Sequence, residues 1–582
     1  MAIRLFAIFL TIFLLTCDSE IHASGPFSQE KPQTGKQPEL TPAQRKAELD
    51  KLHIFLRKIK VNPGPVPAEI PADYVAKVYF YVKGDEELKQ LRTVLADMSL
   101  PIYLSLGKRV SDEGLGYLQG LTAIREFYLF SNYKISEKGI QHICTLPNLR
   151  KLYLRGDQFT DKDLAPLGKL KSLVTLSVQG KKITEHAYEH ISGLTNLERL
   201  TLGRAEVGDI ALSHMTKLKR IKILTASAFK SPRLLTDAGL ADLKHLTGLE
   251  TLFLRSTGDP KDKDKITAKG LKHLSALKNL HTLHVLYVPT FNGRGMAGLE
   301  HLTGLKTLSI HKSGVTNAEG TAFLAKLNLE SLSLDPVEDE AMKYIGQSRS
   351  LTKLVLREVG DSGLQHLKDM PRLQTLSFNS TRVTDAGMQY LPEITSLKSI
   401  TVFNTTITDK GLAGFEKLPE LIALNLQKNK ITGSGLKHLT GLNKLKSLYL
   451  SGNPITDTGI QQLAPLASLD MLMLDSTNIT EEGLAVVQKL PKLRMLYARD
   501  CKISGLKHLD GLKNLETLYL SSNPISDKGI ISLHKLKSLK RVSLSGTKVS
   551  EEAAQALKEA LPKSVIIGSN GRSVFLKRRN KN

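Results

Sequence analysis

The sequence is poor in the residues that cross-link a chain or hold it in a membrane. Its 582 residues include no tryptophan, three cysteines and only 5% aromatic residues. Three cysteines cannot supply the dense disulfide framework of a small secreted domain, so stability must come from packing. No internal apolar run reaches the ~18 residues of a membrane-spanning helix, which excludes a polytopic membrane protein. With 41% hydrophobic residues, the chain cannot be disordered throughout.

The N-terminal segment has the three regions of a secretory signal peptide. Arg4 supplies positive charge, Leu5–Leu15 is apolar, and Ile21-His22-Ala23 ends in a small residue. We therefore predict a signal peptide over residues 1–23 and export to the periplasm, the cell surface or the medium. The residues up to Cys17 partly match a lipobox, so lipid anchoring at Cys17 is the alternative.

One leucine motif recurs along most of the chain. Leu149-x-x-Leu152-x-Leu154 returns 24 residues later as Leu173-x-x-Leu176-x-Val178. The same frame begins at Leu197, Leu249, Leu280, Leu305, Leu329, Leu351, Leu373, Leu397, Leu421, Leu445, Leu469, Leu493, Leu515 and Leu539, with degenerate copies at Ile124 and Leu218. Two weaker copies precede these, which makes about twenty units over residues 74–563.

A second motif follows the leucines in many units. It reads Thr408-Asp409-Lys410-Gly411-Leu412 in one unit and Thr456-Asp457-Thr458-Gly459-Ile460 in another. Together the motifs resemble those of leucine-rich repeat proteins, and the T-D-x-G-L form is similar to the subtype of many secreted bacterial members. It is also similar to the repeats of F-box ubiquitin-ligase receptors. The resemblance implies a recognition protein, with a ligase-receptor-like or effector role as the alternative; a signal peptide where an F-box would lie argues against the alternative.

Elementary physics predicts the same α/β solenoid from the residue pattern. L-x-x-L-x-L alternates apolar and polar residues, as in a strand with one buried face, and Thr-Asp can cap the helix that follows. One unit cannot bury its own apolar side, so stacked units share a continuous core. We expect a curved horseshoe with helices on the convex side and a parallel sheet on the concave side. The side chains that lie between the strand leucines then form what we call the concave face. Twenty strands at ~4.8 Å spacing give a face roughly 95 Å long.

The two ends of such an array need caps. Thr41 to Gln44 form a capping box that opens a helix to about Lys60, and with a Pro-rich bend this predicts an N-terminal cap over residues 41–73. Residues 24–40, rich in Ser, Pro, Gln and Lys, predict a disordered linker. Residues 564–582 predict a last strand and a basic tail.

A column of Asn and Thr, including Asn429, Asn453 and Asn523, recurs after the strands. It predicts a buried ladder that satisfies the hydrogen-bonding groups of the turns. Cys501 occupies the same column, so we interpret it as a small buried residue rather than a nucleophile. Cys144 lies about fifteen repeats away, and we expect no disulfide between the two.

Repeat spacing departs from 24 residues in one block. The intervals from Leu218 to Leu249 and from Leu249 to Leu280 are both 31 residues. We place inserted loops within residues 226–295, and loops on one side of a solenoid often mark a binding face; tolerated drift in surface loops is the alternative. The loop residues we single out are Phe229, Lys230, Lys261, Lys263, Tyr287 and Phe291.

Lysine and arginine outnumber aspartate and glutamate by 81 to 57, a net charge of +24. We expect much of this excess on the concave face between residues 150 and 360, as a groove for an acidic protein or an anionic polymer. The predicted basic residues are Lys151, Arg155, Arg199, Arg204, Arg220, Lys222, Arg255, His284, His311, Lys312, Lys353 and Arg357. A general basic surface without a binding role is the alternative.

No sequence motif for catalysis or cofactor binding is present. The chain has no G-x-S-x-G, no P-loop, no H-E-x-x-H and no paired C-x-x-C. We therefore expect a non-catalytic, monomeric protein without metal or cofactor and without a specific nucleic-acid partner. The identity of the ligand does not follow from the sequence.

Overall fold

The computed structural model describes residues 40–58, 76–80, 84–106, 109–130, 135–228, 235–255, 266–286, 296–379 and 382–575. The predicted signal peptide with Cys17, most of the linker, the Pro-rich bend and the end of the basic tail lie outside these ranges. So do all six singled-out loop residues, Phe229, Lys230, Lys261, Lys263, Tyr287 and Phe291.

The described strands form one sheet in which each strand pairs with its neighbours in the chain. The strands are β1 (Ala76–Phe80), β2 (Ile102–Leu106), β3 (Ile124–Phe130), β4 (Lys151–Arg155), β5 (Thr175–Gln179), β6 (Arg199–Ala205), β7 (Ile223–Ala228), β8 (Thr251–Arg255), β9 (Thr282–Leu286), β10 (Thr307–Thr316), β11 (Ser331–Val337), β12 (Lys353–Arg357), β13 (Thr375–Asn379), β14 (Ser399–Phe403), β15 (Ala423–Asn425), β16 (Ser447–Tyr449), β17 (Met471–Met473), β18 (Met495–Tyr497), β19 (Thr517–Tyr519), β20 (Arg541–Ser543), β21 (Val565–Ile567) and β22 (Ser573–Val574). Every pairing from β1 to β21 is parallel, and β22 closes the edge antiparallel to β21. The expected solenoid of about twenty units is confirmed.

Short helices return the chain from each strand to the next. The α-helices are α1 (Pro42–Lys58), α2 (Asp85–Leu95), α3 (Asp112–Gly116), α4 (Glu137–Ile143), α5 (Asp161–Leu164), α6 (Asp209–Ser213), α7 (Asp237–Leu243), α8 (Ala268–Lys272), α9 (Ala318–Thr321), α10 (Met342–Ile345), α11 (Asp361–Leu364), α12 (Asp385–Met388), α13 (Asp457–Ile460) and α14 (Glu551–Ala560). 3-10 helices cover Ala165–Lys169, Glu185–Ile191, His273–Ala276, Ala297–Leu299, Ala322–Lys326, Asp339–Ala341, Gln365–Leu367, Leu391–Glu393, Asp409–Leu412, Phe415–Lys417, Ser434–Leu439, Gln461–Leu463, Gly483–Lys489, Lys507–Leu509 and Asp527–Lys535.

Positions within a unit are numbered from its first leucine, as in the unit that begins at Leu421. Positions 1, 4 and 6 (Leu421, Leu424 and Leu426) are buried in the core. Positions 3, 5 and 7 alternate with them along the strand and form the concave face. Position 8 has a positive φ in many units, for example 54° at Lys428, because the chain turns there toward the helical side.

The strand register corrects one frame of the predicted repeat. Arg199 pairs with Ile223 and Leu200 with Leu224, so the unit of β7 begins at Ile221 and not at Leu218. The interval from Leu197 to Ile221 is then a regular 24 residues, and the interval from Ile221 to Leu249 is 28 rather than 31. Leu218 instead lies near the end of the preceding helical segment, buried in the core.

The T-D-x-G-L motif joins many units to the next. In the unit of α12, the Thr384 hydroxyl accepts a hydrogen bond from Ala386 N (3.3 Å) and so caps its own helix, as predicted. The Asp385 carboxylate instead reaches the following unit, where it accepts from Thr408 N (2.7 Å) and Thr408 Oγ1 (2.5 Å). The same pair of contacts joins Asp457 to Thr480. Sequence analysis anticipated the cap but missed this bond between units.

The glycine of the motif makes room for that carboxylate. A Cβ atom added at Gly411 would lie 2.6 Å from Asp385 Oδ1, well inside van der Waals contact. Glycine is therefore required here by the close approach of two units and not by its backbone angles.

The Asn column forms the predicted buried ladder. Asn453 Nδ2 donates to Leu426 O and Leu450 O (both 2.8 Å), and its Oδ1 accepts from Asn429 N (3.2 Å) and Ile431 N (3.1 Å). In the same column, the Cys501 thiol is 8% exposed, and its pKa is raised because burial disfavours the thiolate. Both Cys501 and Cys144 are free thiols.

Each end of the array has its own packing element. In α1, Thr41 N donates to Gln44 Oε1 (2.8 Å) and Gln44 N to Thr41 Oγ1 (3.2 Å). The Glu48 carboxylate accepts from Leu100 N (2.6 Å), which ties this helix to the first units. At the other end, α14 begins after Ser550, whose hydroxyl accepts from Ala553 N (3.1 Å).

Candidate ligand-binding face

The concave face presents aromatic side chains near its N-terminal end. Tyr128 and Tyr153 lie on neighbouring strands with ring centroids 5.6 Å apart, and Tyr128 stacks on Phe130 at 6.1 Å. The Arg155 guanidinium carbon lies 4.8 Å from the centre of the Phe130 ring. These side chains are half-buried, so they offer apolar area together with hydroxyl and guanidinium groups.

Most of the predicted basic residues lie on or beside the concave face. Lys151, Arg199 and Lys353 occupy position 3, His284 position 5, and Arg155, Arg255, His311 and Arg357 position 7. Arg204 and Lys312 occupy position 8, where φ is 58° and 50°.

Arg220 and Lys222 were placed wrongly on the concave face, because the frame was set from Leu218. Lys222 is at position 2 and Arg220 precedes position 1, so both lie at the edge where the strands begin. There Lys222 Nζ contacts Glu198 Oε2 (3.1 Å), and Arg220 Nη1 donates to Asn196 Oδ1 (3.1 Å).

Acidic residues neutralise part of the predicted basic groove. Lys151 Nζ lies 3.1 Å from Glu126 Oε1, and Arg204 Nη2 lies 3.4 Å from Asp157 Oδ2. The sequence pattern indicates the cations but not these acidic partners. The register supplies the signal that could have found one of them, since Glu126 and Lys151 stand opposite each other on β3 and β4.

A polar cluster lies in the middle of the face, on β10 to β12. Asp335 Oδ2 accepts from Arg357 Nη1 (3.2 Å) and lies 3.8 Å from His311 Nδ1, while His311 Nε2 is 3.0 Å from Ser333 Oγ. Burial would raise the pKa of the Asp335 carboxyl, but the neighbouring His311 and Arg357 hold it below its usual value. Asp335 is therefore ionised, hydrogen-bonded to Arg357 and close to His311.

The order of Ser333, His311 and Asp335 resembles a hydrolytic triad, but the geometry is that of a structural clamp. The 3.8 Å gap between His311 and Asp335 exceeds a hydrogen bond. The amides of β10, β11 and β12 pair in the parallel ladder, so they do not form an oxyanion hole beside Ser333.

His284 and Lys353 lie next to this cluster. The His284 ring stacks on Phe253 with centroids 4.3 Å apart and an angle of 6° between the rings. Burial, together with the nearby charges of His311 and Lys353, lowers the pKa of His284 to about 4, so the ring is neutral at pH 7. Burial also lowers the pKa of Lys353.

The C-terminal part of the face combines tyrosine and methionine side chains. Tyr497 and Tyr519 stack with centroids 4.9 Å apart, and Arg499, which contacts Asp475 at 2.7 Å, lies 5.8 Å from the Tyr519 ring centre. Met471, Met473, Met495 and Tyr449 lie on the adjoining strands. The stacking depends on the strand register, which places Tyr497 opposite Tyr519.

Within the described residues, no group of three His, Cys, Asp or Glu side chains is placed to hold a metal ion. Burial raises the pKa of the Cys144 thiol to about 12, which leaves it un-ionised. None of the helices in the described part of the chain combines the length and apolar character needed to cross a bilayer.

Comparison with known families and structures identifies the repeat. The model described as "Leucine-rich repeat region" matches residues 110–395, "Leucine rich repeat" matches 395–455, and "Leucine Rich repeats (2 copies)" matches 491–529. No curated protein matches the chain significantly.

Several solved structures are similar in fold. A leucine-rich repeat protein of Leptospira interrogans is 18% identical, with 72% of this chain and 96% of that chain covered and a TM-score of 0.43. An internalin of Listeria monocytogenes is 22% identical (74% and 94% covered, TM-score 0.32), and the TLR13–ssRNA13 complex is 17% identical (81% and 77% covered, TM-score 0.49). At these identities the likeness concerns the fold alone.

Proposed function

The chain belongs to the leucine-rich repeat proteins, and we propose that it is an exported, non-catalytic scaffold that recognises a protein through its concave face. Members of this family generally mediate protein–protein recognition. The concave face carries the proposal, because it presents half-buried Tyr, Met and Arg side chains on one continuous sheet.

The composition of this face favours a protein over an anionic polymer. Aromatic residues, methionine and arginine are the types enriched at protein interfaces and in their energetic hot spots. A polyanion site would instead present a run of uncompensated cations, whereas Lys151 and Arg357 are held by carboxylates within the chain. Binding to an anionic polymer is therefore the second candidate, and the net charge of +24 over the whole chain is the observation in its favour.

Export rests on the N-terminal residues 1–23, which have the charge and hydropathy pattern of a signal peptide. Intact-mass analysis of the mature protein tests it. A mass that still includes residues 1–23 would contradict cleavage, and the added mass of a lipid at Cys17 would establish anchoring instead. We include the loops predicted within residues 226–295 in the proposed binding surface, because in the sequence they follow directly after β7, β8 and β9.

The recognition role is tested by affinity capture from an envelope fraction with the immobilised mature protein. One substitution is made in each part of the concave face: Tyr153→Ser, Lys353→Met and Tyr497→Ser. Tyr344→Ser, on the helical side in α10, serves as the matched control. We expect at least one face variant to reduce recovery of a partner fivefold or more while the control retains it. Equal recovery by all variants, or an equal loss with Tyr344→Ser, would overturn the proposal.

A further inference from the structure

Lys353 is partly desolvated and makes no ion pair with a described residue, which distinguishes it from Lys151, Arg199, Arg204 and Arg357. Lys151, Arg204 and Arg357 contact carboxylates within the chain. Arg199 makes no ion pair with any described residue, but its side chain is exposed to water at position 3 of β6. Lys353 also makes no ion pair with a described residue, yet it is half-buried on β12 and burial lowers its pKa.

Small hydroxyl side chains surround Lys353 on the neighbouring strands. Ser331 on β11 and Thr375 on β13 stand opposite it in the strand register. Ser333 and Ser377 occupy position 5 on the same two strands, and Ser377 is only 4% exposed. Lys353 is thus flanked by short hydroxyl side chains on both neighbouring strands and by Val355 on its own strand, and we call this group of residues the Lys353 basin.

The charges around the Lys353 basin favour an anion. Asp335, the carboxylate of the neighbouring strand, is already engaged by Arg357 and His311. His284, three strands away on β9, is neutral at pH 7 and stacks on Phe253. A desolvated ammonium group without a counter-ion costs free energy, and an incoming carboxylate would remove that cost while the surrounding hydroxyls donate hydrogen bonds.

We propose that the Lys353 basin is the anchor point for an acidic side chain of a protein partner, with Lys353 as the ion-pairing group and Ser331 and Thr375 as hydrogen-bond donors. This inference rests on the proposed recognition function and names the chemical class of the partner segment. A carboxylate fits the basin because one ammonium group and adjacent hydroxyls match one compact anion, whereas a long polyanion needs a series of cations.

The test uses the full mature protein and a fluorescein-labelled deca-glutamate peptide as the probe, with binding followed by fluorescence anisotropy. Lys353→Met removes the charge at nearly constant size, and Lys353→Arg retains it. Lys437→Met, an exposed lysine in the 3-10 helix Ser434–Leu439, is the matched control for the loss of one positive charge. A labelled heparin oligosaccharide is the comparison probe for anionic polymers.

We expect Lys353→Met to weaken peptide binding at least fivefold, Lys353→Arg to weaken it by less than twofold, and Lys437→Met to leave it unchanged. Thermal unfolding without peptide gives a second measurement, because removal of an unpaired, desolvated charge should leave Tm equal or raise it. A lower Tm together with lost binding would assign Lys353 a structural role and overturn the proposal. Equal losses in Lys353→Met and Lys437→Met, no peptide binding by the wild type, or a Lys353 effect on heparin alone would also overturn it.

A captured partner separates this inference from the proposed function. One outcome is that a partner from the envelope fraction binds Tyr153→Ser or Tyr497→Ser more weakly but binds Lys353→Met as tightly as the wild type. That result would support the scaffold function and contradict the role of Lys353 as an anchor. If no concave-face variant affects capture, both fall together.

Discussion

Removal of one Asp carboxylate from the bond between units should destabilise the solenoid by an amount that the structure allows us to work out. Asp385→Ala deletes the acceptor for Thr408 N (2.7 Å) and Thr408 Oγ1 (2.5 Å). A hydrogen bond to a charged group contributes ~1.5–3 kcal/mol, and we take the lower value for both because the pair is only half-buried. The expected loss is therefore about 3 kcal/mol in the free energy of unfolding.

Urea unfolding followed by circular dichroism measures this loss, and hydrogen exchange locates it. The Thr408 amide should exchange faster in Asp385→Ala, while amides of β19 and β20 should keep their protection, because units in a solenoid contact only their neighbours. Asp510→Ala is the control, since this exposed carboxylate lies 3.6 Å from Lys535 and such surface pairs contribute ~0–1 kcal/mol.

A double-mutant cycle with Gly411 tests the geometry directly. Gly411→Ala alone places a methyl group 2.6 Å from Asp385 Oδ1, whereas the nearest other atom, Met388 Cγ, is 3.3 Å away. In the Asp385→Ala background that clash is gone, so the two changes should be less harmful together than their sum, by about 1–2 kcal/mol. Strict additivity, or a loss in Asp385→Ala no larger than in Asp510→Ala, would refute the reasoning.

Three further results are expected. Asn453→Ala should cost about 4 kcal/mol in urea unfolding, because it leaves four buried backbone groups without the side chain that bonds them; a loss below ~1 kcal/mol would contradict the ladder. The folded-state pKa of His284, about 4, lies below that of the unfolded chain, so its contribution is present above pH 6.5 and up to about 3 kcal/mol is lost as the pH falls toward 4. His284→Gln should remove this part of the pH dependence of Tm, and an unchanged profile would count against it. Cys144 and Cys501 should react slowly with maleimide at pH 7 until the chain is denatured, because burial raises the pKa of both thiols; rapid labelling of the native protein would exclude this.

The repeat and the helix caps within units could be predicted because they depend on residues that are near each other in one unit. The Asn ladder joins neighbouring units, and it could be predicted because the same residue type recurs in one column. Thr384 caps a helix that begins at the next residue, and the spacing of the leucines alone sets which residues are buried. Contacts between units were harder to predict, since they require the register of one unit on the next. The bond from Asp385 to Thr408 and the pairing of Lys151 with Glu126 are of this kind.

The wrong frame at Leu218 has a simple physical cause. Leu218 and Ile221 are both buried and three residues apart, so each satisfies the apolar requirement of a first position. Only the hydrogen-bonded pairing of β6 with β7 distinguishes them. The predicted frame was therefore off by three residues, and it assigned Arg220 and Lys222 to the concave face.

The bond between units also bears on how such a chain lengthens or shortens over evolutionary time. A unit that carries both residues of the motif supplies an Asp to the unit that follows and a Thr to the unit that precedes it, as Asp385, Thr408 and Asp409, Thr432 do in succession. Duplication of one such unit therefore restores the bond at both junctions, whereas an insertion of a few residues between the Thr and the strand breaks none. Proteins that differ by whole repeats should therefore remain folded. Variation in repeat number can then change the length of the concave face while the Asp–Thr bonds between units are kept.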